Sequence, residues 1–188
     1  MPLKAKITKE MLVDAAFDVV REAGAEAVNA RTVAKKLNCS TQPVMYHFPT
    51  MEALRRAVYA KADAFHTDYL MNFSGGNPML ELGRNYIRFG SEEKHLFRFL
   101  FQSNGLSGGE LSRMTGAEEA RPMIDLFSRE AGLGTEEARA VFRVLFLTVH
   151  GYASMLANNE MGYDEAAVSA DLELIFRGAV SGAKEGAC

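Results

Sequence analysis

Residues 30–48 read A-R-T-V-A-K-K-L-N-C-S-T-Q-P-V-M-Y-H-F. Two short helical stretches flank an N-C-S turn, and the spacing of three residues predicts a helix-turn-helix. Ala34 is a small residue inside the first helix, where the second must pack closely. Asn38, four positions on, tolerates a left-handed backbone. Val44, six further, is the apolar residue that seals the pair. Val33 and Leu37 extend the apolar face, and Cys39 is expected as a small buried residue. Ser40 is expected to cap the second helix, which places Pro43 in its first turn. There the missing N–H has no intrahelical partner to lose. Gln42, just before proline, is biased away from helix, so an irregular first turn is predicted. A recognition helix carries its N-terminal residues to base edges. Thr41 and Gln42 stand there, glutamine suited to adenine and threonine to several groups, a thymine methyl among them.

Outward from this pair nearly everything reads as helix. I-T-K-E-M-L-V-D-A-A-F-D-V-V-R-E-A-G opens at Thr8 as cap, repeats apolar residues at helical spacing and stops at Gly24. Asn29 is a candidate cap for the helix ending near Asn38. Thr50 is expected to cap a helix from Met51 to about Asn72. F-S-G-G-N-P (73–78) is the clearest break. Asn77-Pro78 then starts a helix to about Gly90, since proline suits the first helical position. Further helices are expected over 92–102, 110–131, 135–159 and 164–184, with S-N-G-L-S-G-G (103–109) as a loop, Gly134 as a terminator and Thr135 as a cap. No alternating β-branched run is present. The fold class expected is all-α, with a DNA-binding head over 1–50, a linking helix and loop over 51–76, and a ligand-binding and dimerisation domain over 77–188.

Composition narrows the function. The chain has 188 residues, 48% hydrophobic and 24% charged, enough for a sizeable core. Cys39 and Cys188 are the two cysteines, far apart, so neither a disulfide framework nor metal spacing follows and a reducing cytoplasm is expected. The N-terminal M-P-L-K-A-K-I-T holds no apolar run of signal-peptide length, and no stretch reads as a transmembrane span. Residues 1–61 carry ten Lys and Arg against six Asp and Glu, a net +4, and the remainder eleven against eighteen, a net −7. A basic first third points to an anionic partner. Enzyme signatures are missing: no G-x-S-x-G, P-loop, H-E-x-x-H or close Cys–His pair. Asp63, His66 and Asp68 share one helix, which reads as a solvated face rather than a metal site. No cofactor is expected.

With these motifs in view, residues 7–54 resemble the DNA-binding domain of the TetR family of bacterial transcriptional regulators. The residues that carry the resemblance are Glu22-Ala23-Gly24, Arg31, Val33-Ala34, Ser40, Val44, His47-Phe48 and Glu52-Ala53-Leu54. Two positions depart from the family pattern: Met45 stands where Tyr is usual, and Met51 where a phosphate-contacting Lys is usual. The resemblance implies Arg31, Thr41 and Gln42 nearest bases, and Asn29, Tyr46, His47 and Thr50 nearest phosphates. Lys4, Lys6 and Lys9 form a basic arm along the backbone or in a minor groove. Plainer readings stand beside these: Asn29 as a cap, His47 as a packed core histidine, Lys35 and Lys36 as solvated face.

Residues 78–102 are similar to the start of a common C-terminal domain of the same family, and His150-Gly151 to the W-H-G marker of one subgroup, with Val149 at the Trp position. The resemblance implies a helical effector pocket and a homodimer. Ten Met and twelve Phe without Trp give an adaptable interior for an apolar or aromatic ligand. Candidate lining residues are Phe65, Tyr86, Phe97, Phe101, Met123, Phe127, Phe146, His150 and Met155, each of which also reads as core. Leu172, Ile175, Phe176 and Ala179, with Gly178 and Gly182 for close approach, are the candidate dimer residues. The function expected is a ligand-responsive regulator, a repressor released from a pseudo-palindromic operator. The alternatives are a DNA-binding architectural or recruiting protein without an effector, and an all-helical enzyme.

Overall fold

The computed structural model describes residues 7–102 and 120–186. Every regular element among them is helical: α1 (Lys9–Ala23), α2 (Ala30–Lys36), α3 (Gln42–His47), α4 (Met51–Leu70), α5 (Pro78–Glu92), α6 (Lys94–Phe101), α7 (Arg121–Ala131), α8 (Thr135–Asn158) and α9 (Glu165–Glu185), with a 3-10 turn at Ala25–Ala27. The 103–109 loop, the 110–119 part of the helix expected over 110–131, Lys4, Lys6 and Cys188 lie outside the described residues.

Two compact units form, the first from the described residues of Met1–Asp68 and Glu93–Ser103, the second from those of Tyr69–Glu92 and Asn104–Cys188. The expected division at 50 and 76 differs from this. Most of α4 stays with the first unit, and α6 joins it.

In the first unit α1 buries Leu12, Ala15, Ala16, Phe17, Val19 and Val20 and packs on α2 and α6. Thr8 caps it, its hydroxyl accepting from the Met11 N–H at 3.3 Å. Gly24 ends it at φ +85°, a conformation that a Cβ disfavours. From α6 come Leu96, Phe97, Phe99 and Leu100, all buried. Glu93 precedes that helix and is itself buried. Its carboxylate takes the Arg21 guanidinium, with Nε at 3.0 and 2.8 Å from the two oxygens and Nη2 also bonded. A buried charge needs such a partner, because leaving it unpaired is costly. The guanidinium also lies over the Phe65 ring.

In the second unit α8 is the central helix, contacting α5, α7 and α9. It is long and apolar enough to cross a membrane by length and composition, but Ala138, Val141, Leu145, Val149, Ala153 and Leu156 are buried within the unit. Glycine sets the approach of α5 to α8. A Cβ on Gly90 would stand 2.7–2.8 Å from Ala153 atoms, backbone included. The helix expected to stop near Gly90 therefore runs on to Glu92, because this glycine serves packing and not termination. Two buried polar residues on α5 hold the segment before it. Glu81 accepts from the Ser74 and Gly76 N–H groups, and the Asn85 amide donates to the carbonyls of Leu70 and Asn72, both at 3.1 Å. The backbone bonds draw the Glu81 carboxyl below its ordinary range.

Two expected caps are corrected. α8 begins after Gly134, whose N–H donates to Glu137 at 2.7 Å; Thr135 is already helical, and Gly132 at φ +63° ends α7. α3 begins after Thr41, whose own backbone is helical, and neither Thr41 nor Ser40 forms a side-chain cap bond there.

Candidate nucleic-acid interface

Geometry at the turn matches the spacing argument. Asn38 has φ +48°, and among the described residues no other non-glycine has positive φ. The Cys39 N–H reaches the Ala34 carbonyl at 3.0 Å and the Asn38 N–H that of Lys35 at 3.1 Å, the paired closure that ends a helix on a left-handed residue. Ala34 and Val44 are both buried, as the close crossing of α2 and α3 requires. Cys39 is half-exposed rather than buried. Pro43 occupies the first turn of α3, where no backbone bond is lost.

This closure fixes which side chains of the pair face out. Arg31, in the first turn of α2, and Thr41 and Gln42, at the front of α3, are exposed. Tyr46 is 81% exposed, its ring edge-on to His47 at 5.1 Å. His47 is half-buried, with Nε2 at 3.2 Å from the Ile7 carbonyl, so it ties the start of the described chain to α3. Asn29 forms a full capping box: its side chain accepts from the Arg31 and Thr32 N–H groups, and Thr32 Oγ1 accepts from the Asn29 N–H. That bonding caps α2 at the turn that carries the exposed Arg31. Thr50 caps α4, accepting from the Ala53 N–H at 3.2 Å. Lys6 lies outside the described residues, and Lys9 stands over the Phe48 ring at 5.3 Å.

Several further cations of the unit are paired with carboxylates. Lys36 is held by Glu22 at 2.6 Å, Lys61 by Asp14 at 2.8 Å and Arg56 by Glu52 at 2.9 Å. Arg31, Lys35 and Arg55 have no carboxylate partner among the described residues and are exposed. Arg55 was missed in the sequence. It lies one turn beyond Met51, and only that spacing would have marked it as a cation near the start of α4.

The nine residues expected to line one pocket are not all in one unit. Phe65, Phe97 and Phe101 belong to the first: Phe65 is edge-on to Phe17, Phe97 is fully buried, and Phe101 lies against His66 at 5.2 Å. In the second unit Tyr86, Phe146 and His150 form one group. The Tyr86 hydroxyl is 2.9 Å from His150 Nδ1, and Phe146 stacks on the imidazole at 5.7 Å. Burial raises the Tyr86 pKa and lowers that of His150. Both groups are therefore neutral, a phenol and an imidazole joined by one hydrogen bond. Phe127 and Phe142 continue the aromatic run, and Met123 packs half-buried on the same core. Met155 is 53% exposed and faces away from it.

The dimer residues also divide. Leu172 is buried, and Ile175, Phe176 and Ala179 pack on the unit's own core, so that stripe of α9 turns inward. Gly178 and Gly182 are open. With Ala167, Ala170 and Leu174 they form an exposed stripe, and α8 exposes Val144, Leu147, Gly151 and Met155 at the same helical spacing. Asp63 and Asp68 are exposed while His66 is buried, and no metal-binding group occurs among the described residues.

A family model for bacterial regulatory proteins, tetR family, matches residues 12–58. One for the tetracyclin repressor-like C-terminal domain matches residues 79–180. The class D tetracycline repressor protein of Escherichia coli is 27% identical over 85 residues, 45% of this chain and 39% of that protein. The match therefore spans well under half of that relative's length. A transcriptional regulator from Rhodococcus sp. Rha1 superposes with a TM-score of 0.63 at 19% identity, over 94% of this chain and 97% of its own. A TetR variant from Acinetobacter baumannii AYE, in complex with minocycline, does so with 0.57 at 16%, over 96% and 98%. At these identities the two solved structures share the fold.

Proposed function

The chain belongs to the tetR family of bacterial regulatory proteins, which are transcriptional regulators and not enzymes, and on that premise we propose that it is a cytoplasmic, ligand-responsive repressor of a pseudo-palindromic operator. The observation that carries this reading is the locked α2–α3 pair. Asn38 closes the turn, and Arg31, Thr41 and Gln42 stand exposed at the two helix starts. Those three side chains read bases. Tyr46, Thr50, Lys6 and the exposed Arg55 meet phosphates, while Asn29 and His47 position the two helices that carry the contacts.

A homodimer places two such pairs one helical turn apart on DNA. The open stripes of α8 and α9, glycine-bearing and apolar, are the faces that pair with a second copy. The effector is a small apolar or aromatic molecule held beside Tyr86, Phe146 and His150, with the imidazole as the polar group that orients it. It must bind the state with lower DNA affinity more tightly, and operator DNA must weaken the effector by the same factor. Selection from a random duplex library by the purified protein tests the reading. It should recover a pseudo-palindrome with half-sites about 10 base pairs apart, or a multiple of that. Recovery of unrelated sequences would contradict it.

A further inference from the structure

α3 turns an apolar side chain outward where the core has no use for it. Val44 and Phe48 are buried and seal the helix to the unit, while Met45, between them, is 48% exposed. Helical spacing puts Met45 on the same side as Thr41 and Gln42, four and three residues earlier. An exposed thioether offers nothing to a phosphate, since it carries no charge and no useful donor. It does suit a small apolar target beside polar ones, because the side chain is unbranched and adaptable. The DNA major groove displays one such target, the C5-methyl of thymine, in the same groove as the N6 and N7 edge that glutamine pairs with on adenine.

We propose that Met45 is a specificity-determining residue that covers the C5-methyl of a thymine next to the base pair read by Gln42. This rests on the regulator reading above and adds a base preference to it. A half-site must then carry a thymine at that step, and uracil, which lacks only the methyl, is the discriminating probe.

The experiment uses the full chain and a duplex that it has itself selected. Each thymine is replaced by uracil symmetrically in the two half-sites, and binding of wild type and Met45→Ala is compared by fluorescence anisotropy. One position should weaken wild-type binding about fourfold per half-site, the value of one buried methyl. At that position Met45→Ala should bind thymine and uracil duplexes equally. Because Met45 is exposed, the variant should keep its helical circular dichroism and unfolding midpoint. Absence of any uracil-sensitive thymine, or sensitivity that persists unchanged in Met45→Ala, overturns the inference and leaves the regulator reading standing. A wild-type chain that selects no sequence overturns that reading, and the inference with it.

Discussion

Asn38 shows how much one residue sets. Its left-handed backbone ends α2 and aims α3, and an L-residue without a locally bonding side chain pays about 1–2 kcal/mol there. Asn38→Ala should therefore destabilise the chain by about 1 kcal/mol in urea unfolding, while Asn38→Gly stays within about 0.5 kcal/mol of wild type. Equal losses in the two variants would contradict the role assigned to φ. His66 makes the opposite point. It is only 7% exposed, and burial lowers its pKa from 6.5 to about 4. The folded chain keeps the ring neutral where the unfolded chain takes a proton. Stability is thus complete above about pH 6.5 and falls by about 3 kcal/mol towards pH 4. Urea midpoints between pH 7 and 4 should show that slope, and His66→Phe should lose this part of it. Asn38 was legible because the spacing Ala34, Asn38, Val44 is local. The burial of His66 was not, since its aromatic neighbour Phe101 comes from a helix far along the chain and D-A-F-H-T-D reads as a solvated face.

Element boundaries were legible wherever a side chain makes the cap. Thr8, Asn29, Thr50 and Asn77 all accept backbone N–H groups at the helix starts expected of them. Ser40 and Thr135 misled because neither side chain takes an N–H at the helix start expected of it. Thr41 is already helical, and the Gly134 N–H is taken by a carboxylate three residues on. Gly90 misled for another reason: a terminator and a packing glycine look alike in sequence. The structure makes a strong demand at that position. Gly90→Ala would press a methyl against the Ala153 backbone, and overpacking of that kind costs about 1–3 kcal/mol. Gly178→Ala meets nothing within 4 Å in the single chain, so it should raise the unfolding midpoint once protomers are separated by dilution, alanine being better than glycine inside a helix by about 0.5–1 kcal/mol. Thermal unfolding of both variants checks the contrast, and equal midpoints would contradict the close α5–α8 approach.

For the whole molecule, the open question in the sequence was which side of α9 faces a partner. Both sides are apolar, so periodicity alone chose the stripe through Leu172, Ile175, Phe176 and Ala179, which the structure turns inward. The outward stripe holds Leu174, 65% exposed. The two substitutions Leu172→Asp and Leu174→Asp separate these faces. The first buries a charge and should cost more than about 3 kcal/mol of stability. The second should leave each protomer folded, shift sedimentation to the monomer and weaken operator binding at least tenfold through lost bivalency, an order-of-magnitude figure of about 10. A dimer that survives Leu174→Asp would place the interface elsewhere. The candidate effector site was legible only in part, because Tyr86, Phe146 and His150 meet through tertiary packing while Phe97 and Met155, of the same residue types, do not join them.

The most direct test of the central claim is fluorescence anisotropy on a labelled operator duplex at physiological salt with excess non-specific DNA. Wild type is compared with Arg31→Ala and Gln42→Ala. Binding at about 10⁻⁸ M or tighter, weakened roughly tenfold or more by either substitution, is the predicted result. Weak binding that collapses with salt and ignores both substitutions would be backbone electrostatics alone, and would contradict a sequence-reading role for the α2–α3 pair.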